Sequence, residues 1–234
     1  MTARYSIYFT PADDSALARF GNAILGRDAS SYKNRKLSDT SDIAPFADAA
    51  LWETYTEKPA HYGFHATIKA PFELAPDCTA AELLDDLAAY CKHRQPITLQ
   101  SLQPARLQAF TALAMQQQPE ALVELAADVV RHFEPYRQEL SAADIQRRQI
   151  DTLSPSQIDN LTNYGYPYIF SDFQFHMTLS GAISDDEDRF LPWVKSIYQQ
   201  LVANSPDLDR LCVFRQVDRQ TPFVRIAEFR LGDA

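Results

Sequence analysis

The sequence predicts a bilobal α+β fold, an internally duplicated strand–helix–strand–strand unit with antiparallel-rich sheets around a central cleft. Three observations predict it. The tripeptide His-x-Thr occurs twice, in Phe64-His65-Ala66-Thr67-Ile68-Lys69 and in Phe175-His176-Met177-Thr178-Leu179-Ser180. Each copy alternates apolar with polar residues, the period-two pattern of a half-buried strand. Each copy is then followed by the same order of elements, over residues 65–115 and again over 176–230. A single domain, 1–234, would therefore hold one lobe at 62–115 and a second at 172–231.

Each element has its own local reason. Arg4-Tyr5-Ser6-Ile7-Tyr8-Phe9 reads as an opening strand. Pro11-Ala12-Asp13-Asp14 opens a helix with Leu17, Phe20 and Ile24 on one stripe and Gly26 as its stop. Residues 27–58 are polar and turn-rich, and their basic cluster, Lys33, Arg35 and Lys36, reads as a solvated loop. The first motif strand ends at Pro71. Thr79-Ala80-Ala81-Glu82 is a capping box ahead of Leu83, Leu84, Leu87 and Cys91 at helical spacing. Strand-like stretches follow at 97–102 and 107–115. Residues 119–165 read as helical, with a stripe of Leu122, Leu125, Val129 and Phe133 and a further helix from Ser154-Pro155 to Gly165. An aromatic-rich loop, 164–170, leads into the second motif. Ser184-Asp185-Asp186-Glu187 repeats the capping box before Phe190, Leu191, Val194, Ile197, Tyr198 and Leu201, and strands at 210–217 and 223–230 close the chain.

The repeated motif carries the chemistry. On a strand, His65 and Thr67 share a face with Lys69, and His176 shares one with Thr178, while the apolar partners pack behind. With 5 His among 234 residues, random placement yields about 0.3 His-x-Thr triplets. Two in matched settings point to one cleft, where a pseudo-two-fold axis would bring the motif strands face to face. Two imidazoles and two hydroxyls around one phosphate suit acid–base attack at phosphorus. Histidine titrates near neutrality, so one ring can accept a proton while the other donates. The near-symmetry leaves open which does which.

Composition excludes several classes. A net charge of −9, from 22 basic and 31 acidic residues, argues against wrapping a long nucleic acid. A small phosphorylated substrate or one nucleic-acid terminus is the expected partner, with the oligomeric state left open. No apolar run approaches membrane-spanning length. Cys78, Cys91 and Cys212 are odd in number and lack CxxC spacing, so neither a disulfide framework nor a zinc site is expected, and a reducing cytoplasm is the expected location. None of the 6 glycines forms GxGxxG or GxxxxGK.

Several stretches spanning nearly the whole chain carry a family likeness. They are Arg4–Phe9, Phe20-Gly21 with Leu25-Gly26-Arg27, the run from Tyr62-Gly63 through the first motif to Pro71-Phe72, Gly165-Tyr166-Pro167-Tyr168, and the second motif to Gly181. In these the chain resembles the 2H phosphoesterase superfamily, and within it a bacterial branch labelled a phosphonate metabolism protein. The resemblance implies a bilobal α+β fold and metal-independent opening of cyclic phosphodiesters, with no cofactor. It implies His65 and His176 as catalytic groups and Thr67 and Thr178 as phosphate-binding ones. Lys69, Tyr62 and Tyr168 are expected to line the substrate. Gln174 stands where many relatives carry Arg, which removes an Arg–phosphate contact there. A nucleoside 2′,3′-cyclic phosphate, a ribose cyclic phosphate and an RNA end all fit this chemistry.

Two rival readings are a metal-dependent hydrolase using His61, His65 and His176, and a module that only binds a phosphorylated ligand. The i,i+4 spacing of His61 and His65 places ligands together only on a helix, and Gly63 and the strand pattern argue against one.

Overall fold

The computed structural model describes residues 2–30, 33–34, 43–141, 144–145, 152–184 and 189–232. Its largest sheet is built from β1 (Arg4–Phe9), β4 (Ala66–Glu73), β6 (Gln103–Leu107), β7 (Phe110–Ala114), β8 (His176–Ala182), β10 (Arg210–Gln216) and β11 (Val224–Arg230). The strand order is β11–β10–β1–β4–β8–β7–β6 and the pairings are antiparallel. Two short pairs lie outside it: β2 (Arg27–Asp28) with β3 (Lys33–Asn34), and β5 (Ile97–Thr98) with β9 (Asp207–Leu208).

Alternation sorts the strand residues into two faces. Tyr5, Ile7 and Phe9 of β1 enter the main core with Ala66, Ile68, Met177 and Leu179 of the motif strands. Tyr8 points the other way, into a smaller cluster with Cys212, Phe214 and Phe223. The helices packed around the sheet are α1 (Ala16–Leu25), α2 (Ala49–Ala60), α3 (Ala80–Lys92), α4 (Glu120–His132), α5 (Pro155–Tyr164) and α6 (Phe190–Leu201). The caps read from the sequence close three of them. Gly26 takes φ 64° after α1, Thr79 and Glu82 form the reciprocal box before α3, and Gly165 takes φ 75° after α5.

The strand pairing interleaves the residues of the two expected lobes. Hairpin β6–β7 follows the first motif but pairs beside β8, the second motif strand. Hairpin β10–β11 follows the second motif but joins β1 and, through it, β4. The helices cross over with them, α3 packing on β10 and β11 and α6 on β6. Each half of the sheet thus contains strands from both copies of the unit. The halves meet at a single residue pair, Ala66 opposite Met177, the middle residues of the two motifs. Packing beneath that seam holds it, since both side chains are at most 1% exposed.

Three local expectations change, and a fourth lies largely outside the described residues. Helix α2 lies in the stretch read as turn-rich. Its buried positions are Trp52, Thr56 and Pro59, so only one large apolar residue marks its inner face, and Pro59 lies within it. Trp52 ties it to α1 by donating its indole N–H to the Ile24 carbonyl at 2.8 Å. The stretch 107–115 is broken because Gln108 turns the chain at φ 51°, an αL position without a glycine signal. The first motif strand continues past Pro71 to Glu73, since register shifts against β1 leave Pro71 outside the regular ladder. Helix α6 begins at Phe190 with no side-chain cap. Its expected capping box falls largely on residues outside those described, as does the cluster of Lys33, Arg35 and Lys36.

Candidate active site

Antiparallel pairing of Ala66 with Met177 sets the site. Counting outward from that pair places His65 beside Thr178 and Thr67 beside His176, with all four side chains on the face opposite the core. Each imidazole therefore lies next to the hydroxyl of the other motif. His65, Thr67 and Thr178 line a cleft of about 480 Å³, and His176 lines an adjoining cleft of about 470 Å³. The two clefts share Thr67, Phe110 and Tyr166 in their walls.

The rings are oriented alike. His65 Nδ1 donates to the Gly63 carbonyl at 2.9 Å, and His176 Nδ1 donates to the Gln174 carbonyl at 2.8 Å. In both cases the acceptor is two residues upstream. A carbonyl can only accept, so the proton of each neutral ring sits on Nδ1 and Nε2 carries the lone pair. His65 Nε2 accepts from the Thr67 hydroxyl at 3.2 Å.

The environments of the two rings differ. Tyr8 stacks on His65 with centroids 3.9 Å apart and planes 25° apart, and Phe214 and Tyr62 close in at 6.3 and 6.1 Å. Phe110 stands 5.9 Å from His176 at a tilt of 54°. Burial pushes the pKa of His65 down to about 4, helped by the nearby His176 and Arg27 and opposed by the bond to Gly63. Burial likewise raises the Tyr8 phenol above its ordinary range, so Tyr8 is a neutral ring at physiological pH.

Lys69 does not reach the cleft, contrary to the face-sharing expected from alternation. A register shift between Ile7 and Tyr8 of β1 inserts an extra residue into β4 and turns Lys69 to the helical side. There it is 3% exposed, donating to the Val130 carbonyl at 3.1 Å and to Glu134 at 2.8 Å. Burial lowers its pKa, and the Glu134 carboxylate opposes that shift. Tyr62 does line the first cleft and Tyr168 the second, at 37% and 48% exposure.

Three neighbours of the motif residues escaped the motif reading. Tyr8 and Arg4 lie on the cleft face of β1, and only the pairing of β1 with β4 brings them there. Arg27 donates to the carbonyls of Ala60, His61 and Phe223, pinning the loop that presents Gly63 to the start of β11. Its lone signal was the Gly26-Arg27 pair ending α1.

His61 does not join the motif histidines. Its Nε2 accepts from the Gln216 side chain at 3.0 Å, and Gln216 in turn accepts from Arg4 at 2.8 Å. Among the described residues, no group of three or more His, Cys, Asp and Glu side chains has the spacing to hold a metal ion. The three cysteines are free thiols. No helix among the described residues is long and apolar enough to cross a membrane.

Comparison with known proteins adds five findings. The family described as "Protein of unknown function (DUF1045)" matches residues 67–224. A protein of Janthinobacterium sp. (strain Marseille) named "Ribose 1,5-bisphosphate phosphokinase PhnN" is 30% identical over 226 residues, 94% of this chain and 49% of that protein. A protein of the same name from Laribacter hongkongensis (strain HLHK9) is 30% identical over 190 residues, 78% of this chain and 41% of its own length. The chain thus spans about half the length of the curated relatives it matches. Among solved structures, one titled "Crystal structure of phosphoesterase" is similar with a TM-score of 0.43 at 12% identity, over 99% of both chains. E. coli LigT complexed with 3′-AMP has a TM-score of 0.41 at 14% identity, again over 99% of both chains. Likeness at that level does not establish a shared activity.

Proposed function

The chain belongs to the DUF1045 family of proteins of unknown function, and from its site we propose that it opens a small cyclic phosphodiester without a metal. The observation that carries this reading is the pairing of Ala66 with Met177, which sets two oppositely running His-x-Thr motifs side by side on one face. The 2H phosphoesterase resemblance of the sequence supports it independently.

In this reading the Thr67 hydroxyl turns from His65 Nε2 to the phosphate, and it and Thr178 donate to the non-bridging oxygens and hold phosphorus between the rings. Hydrogen bonds that strengthen as charge develops in the transition state raise the rate. His65, kept neutral by burial, accepts the proton of the attacking water at Nε2. His176 donates to the leaving ribose oxygen, so the ring opens to a phosphomonoester.

The substrates to test are nucleoside 2′,3′-cyclic phosphates and ribose cyclic phosphates. The name of the longer relatives supports the second group, because it concerns a ribose phosphate. Purified protein assayed in excess EDTA, with products followed by phosphorus NMR, is expected to open at least one of them. Loss of activity in EDTA with recovery on adding zinc or manganese would favour a metal-dependent hydrolase instead. Tight binding without turnover would leave a phosphorylated-ligand module.

The role assignment has a pH signature. With a pKa held down to about 4, His65 stays unprotonated throughout the neutral range. The kcat/KM profile should therefore stay flat from neutrality down towards pH 5 and fall only as pH approaches that value. An acid limb at the ordinary imidazole pKa of about 6.5 would remove His65 as the base.

A further inference from the structure

The geometry points to a subsite for a second anionic group beside the motif residues, with Lys58 as its cation. The inference rests on the cleft being a phosphate site, and it narrows the substrate to one carrying a phosphomonoester as well as the cyclic diester.

Lys58 lies in the last turn of α2 and lines the same cleft as His65, Thr67 and Thr178. Its Cδ is 4.0 Å from where a Cβ on Gly181 would stand, so its stem lies over the second motif strand, three residues beyond Thr178. Among the described residues the Lys58 ammonium makes no ion pair or hydrogen bond, and the residue is exposed. Arg4 adds a second cation to the same wall.

Charge balance makes this arrangement informative. The chain carries 31 acidic against 22 basic residues. Among the described residues that line this cleft there is no Asp or Glu, whereas Lys58 and Arg4 are there. An acidic protein repels anionic ligands over most of its surface, so a wall whose described charged groups are cations is where an anion can be held. A cyclic diester is only a monoanion, already served in the proposed reaction by two hydroxyls and a protonated imidazole. A phosphomonoester on the same sugar brings about 1.5–2 further charges, which a compact ammonium binds as a point charge.

The test compares two probes that differ by one phosphate, α-D-ribose 1,5-bisphosphate and α-D-ribose 1-phosphate, by titration calorimetry. The wild-type protein is expected to prefer the bisphosphate by about 10-fold or more, the scale of one charge-assisted hydrogen bond. In Lys58→Gln that preference should fall several-fold, and Lys58→Arg should restore most of it. Lys92→Gln makes the same charge change on the exposed end of α3 and should retain the full preference. A lysine that served only the dipole of α2 would lower Tm when replaced without changing the preference. Equal binding of the two probes, no binding of either, or an undiminished preference in Lys58→Gln would overturn the inference. Turnover is read separately: a Lys58-dependent preference with no cyclic ester opened would keep the subsite and remove the phosphodiesterase.

Discussion

His65→Ala and His176→Ala are each expected to slow the opening of a cyclic phosphodiester by about 10²–10⁴, the usual contribution of one positioned proton-transfer group. Both rings have Nδ1 committed to a carbonyl, which leaves Nε2 of each for proton transfer. The loss should appear mainly in kcat, because a proton in flight is an interaction of the transition state. Thr67→Val and Thr178→Val should cost less, since each deletes one phosphate hydrogen bond that also forms in the ground state. His176 is half-buried, and its replacement should leave the circular dichroism spectrum unchanged. His65→Ala opens a gap under Tyr8 and should lower Tm slightly as well. Full activity in a folded His176→Ala protein would make the second motif structural and end the two-histidine mechanism.

Gly21→Ala is expected to destabilise the protein by about 1–3 kcal/mol, although alanine is the better helix former. Gly21 lies inside α1, where glycine normally costs roughly 1 kcal/mol. A Cβ there would stand 2.0 Å from Phe64 Cδ1, far inside van der Waals contact with the ring. Phe64 is 3% exposed and sits edge-on to Phe20, with centroids 6.2 Å apart, so it has little room to retreat. It immediately precedes His65, and its displacement would move the motif. Thermal melts should show Tm lower by roughly 2–10 °C. Gly21→Ala combined with Phe64→Ala should cost less than the sum of the single changes, because removing the ring removes the clash. A melting temperature raised by Gly21→Ala would show that helix propensity outweighs the contact.

The site was legible in the sequence because strand alternation is local. His65 with Thr67, and His176 with Thr178, share faces by backbone geometry alone, and the core runs Phe64-Ala66-Ile68 and Phe175-Met177-Leu179 mark the opposite side. The same reasoning failed for Lys69, because alternation assumes an unbroken ladder. A register shift depends on the partner strand, and nothing within residues 66–73 announces it. Helix α2 was missed for a related reason: Thr56 and Pro59 are buried by what packs on them, not by their own hydropathy.

By itself the sequence determined the two motifs, the caps that end α1, open α3 and bound α5, and the repeated order of elements, whereas α1 opens at Ser15 and not at Pro11–Asp14. Only the tertiary structure decided which strands are neighbours. It exchanged the hairpins between the halves of the sheet, set Ala66 opposite Met177, and laid Tyr8 of the first strand on His65. Burial among residues distant in sequence then holds His65 neutral, which distinguishes it from His176 in a way the motifs alone do not.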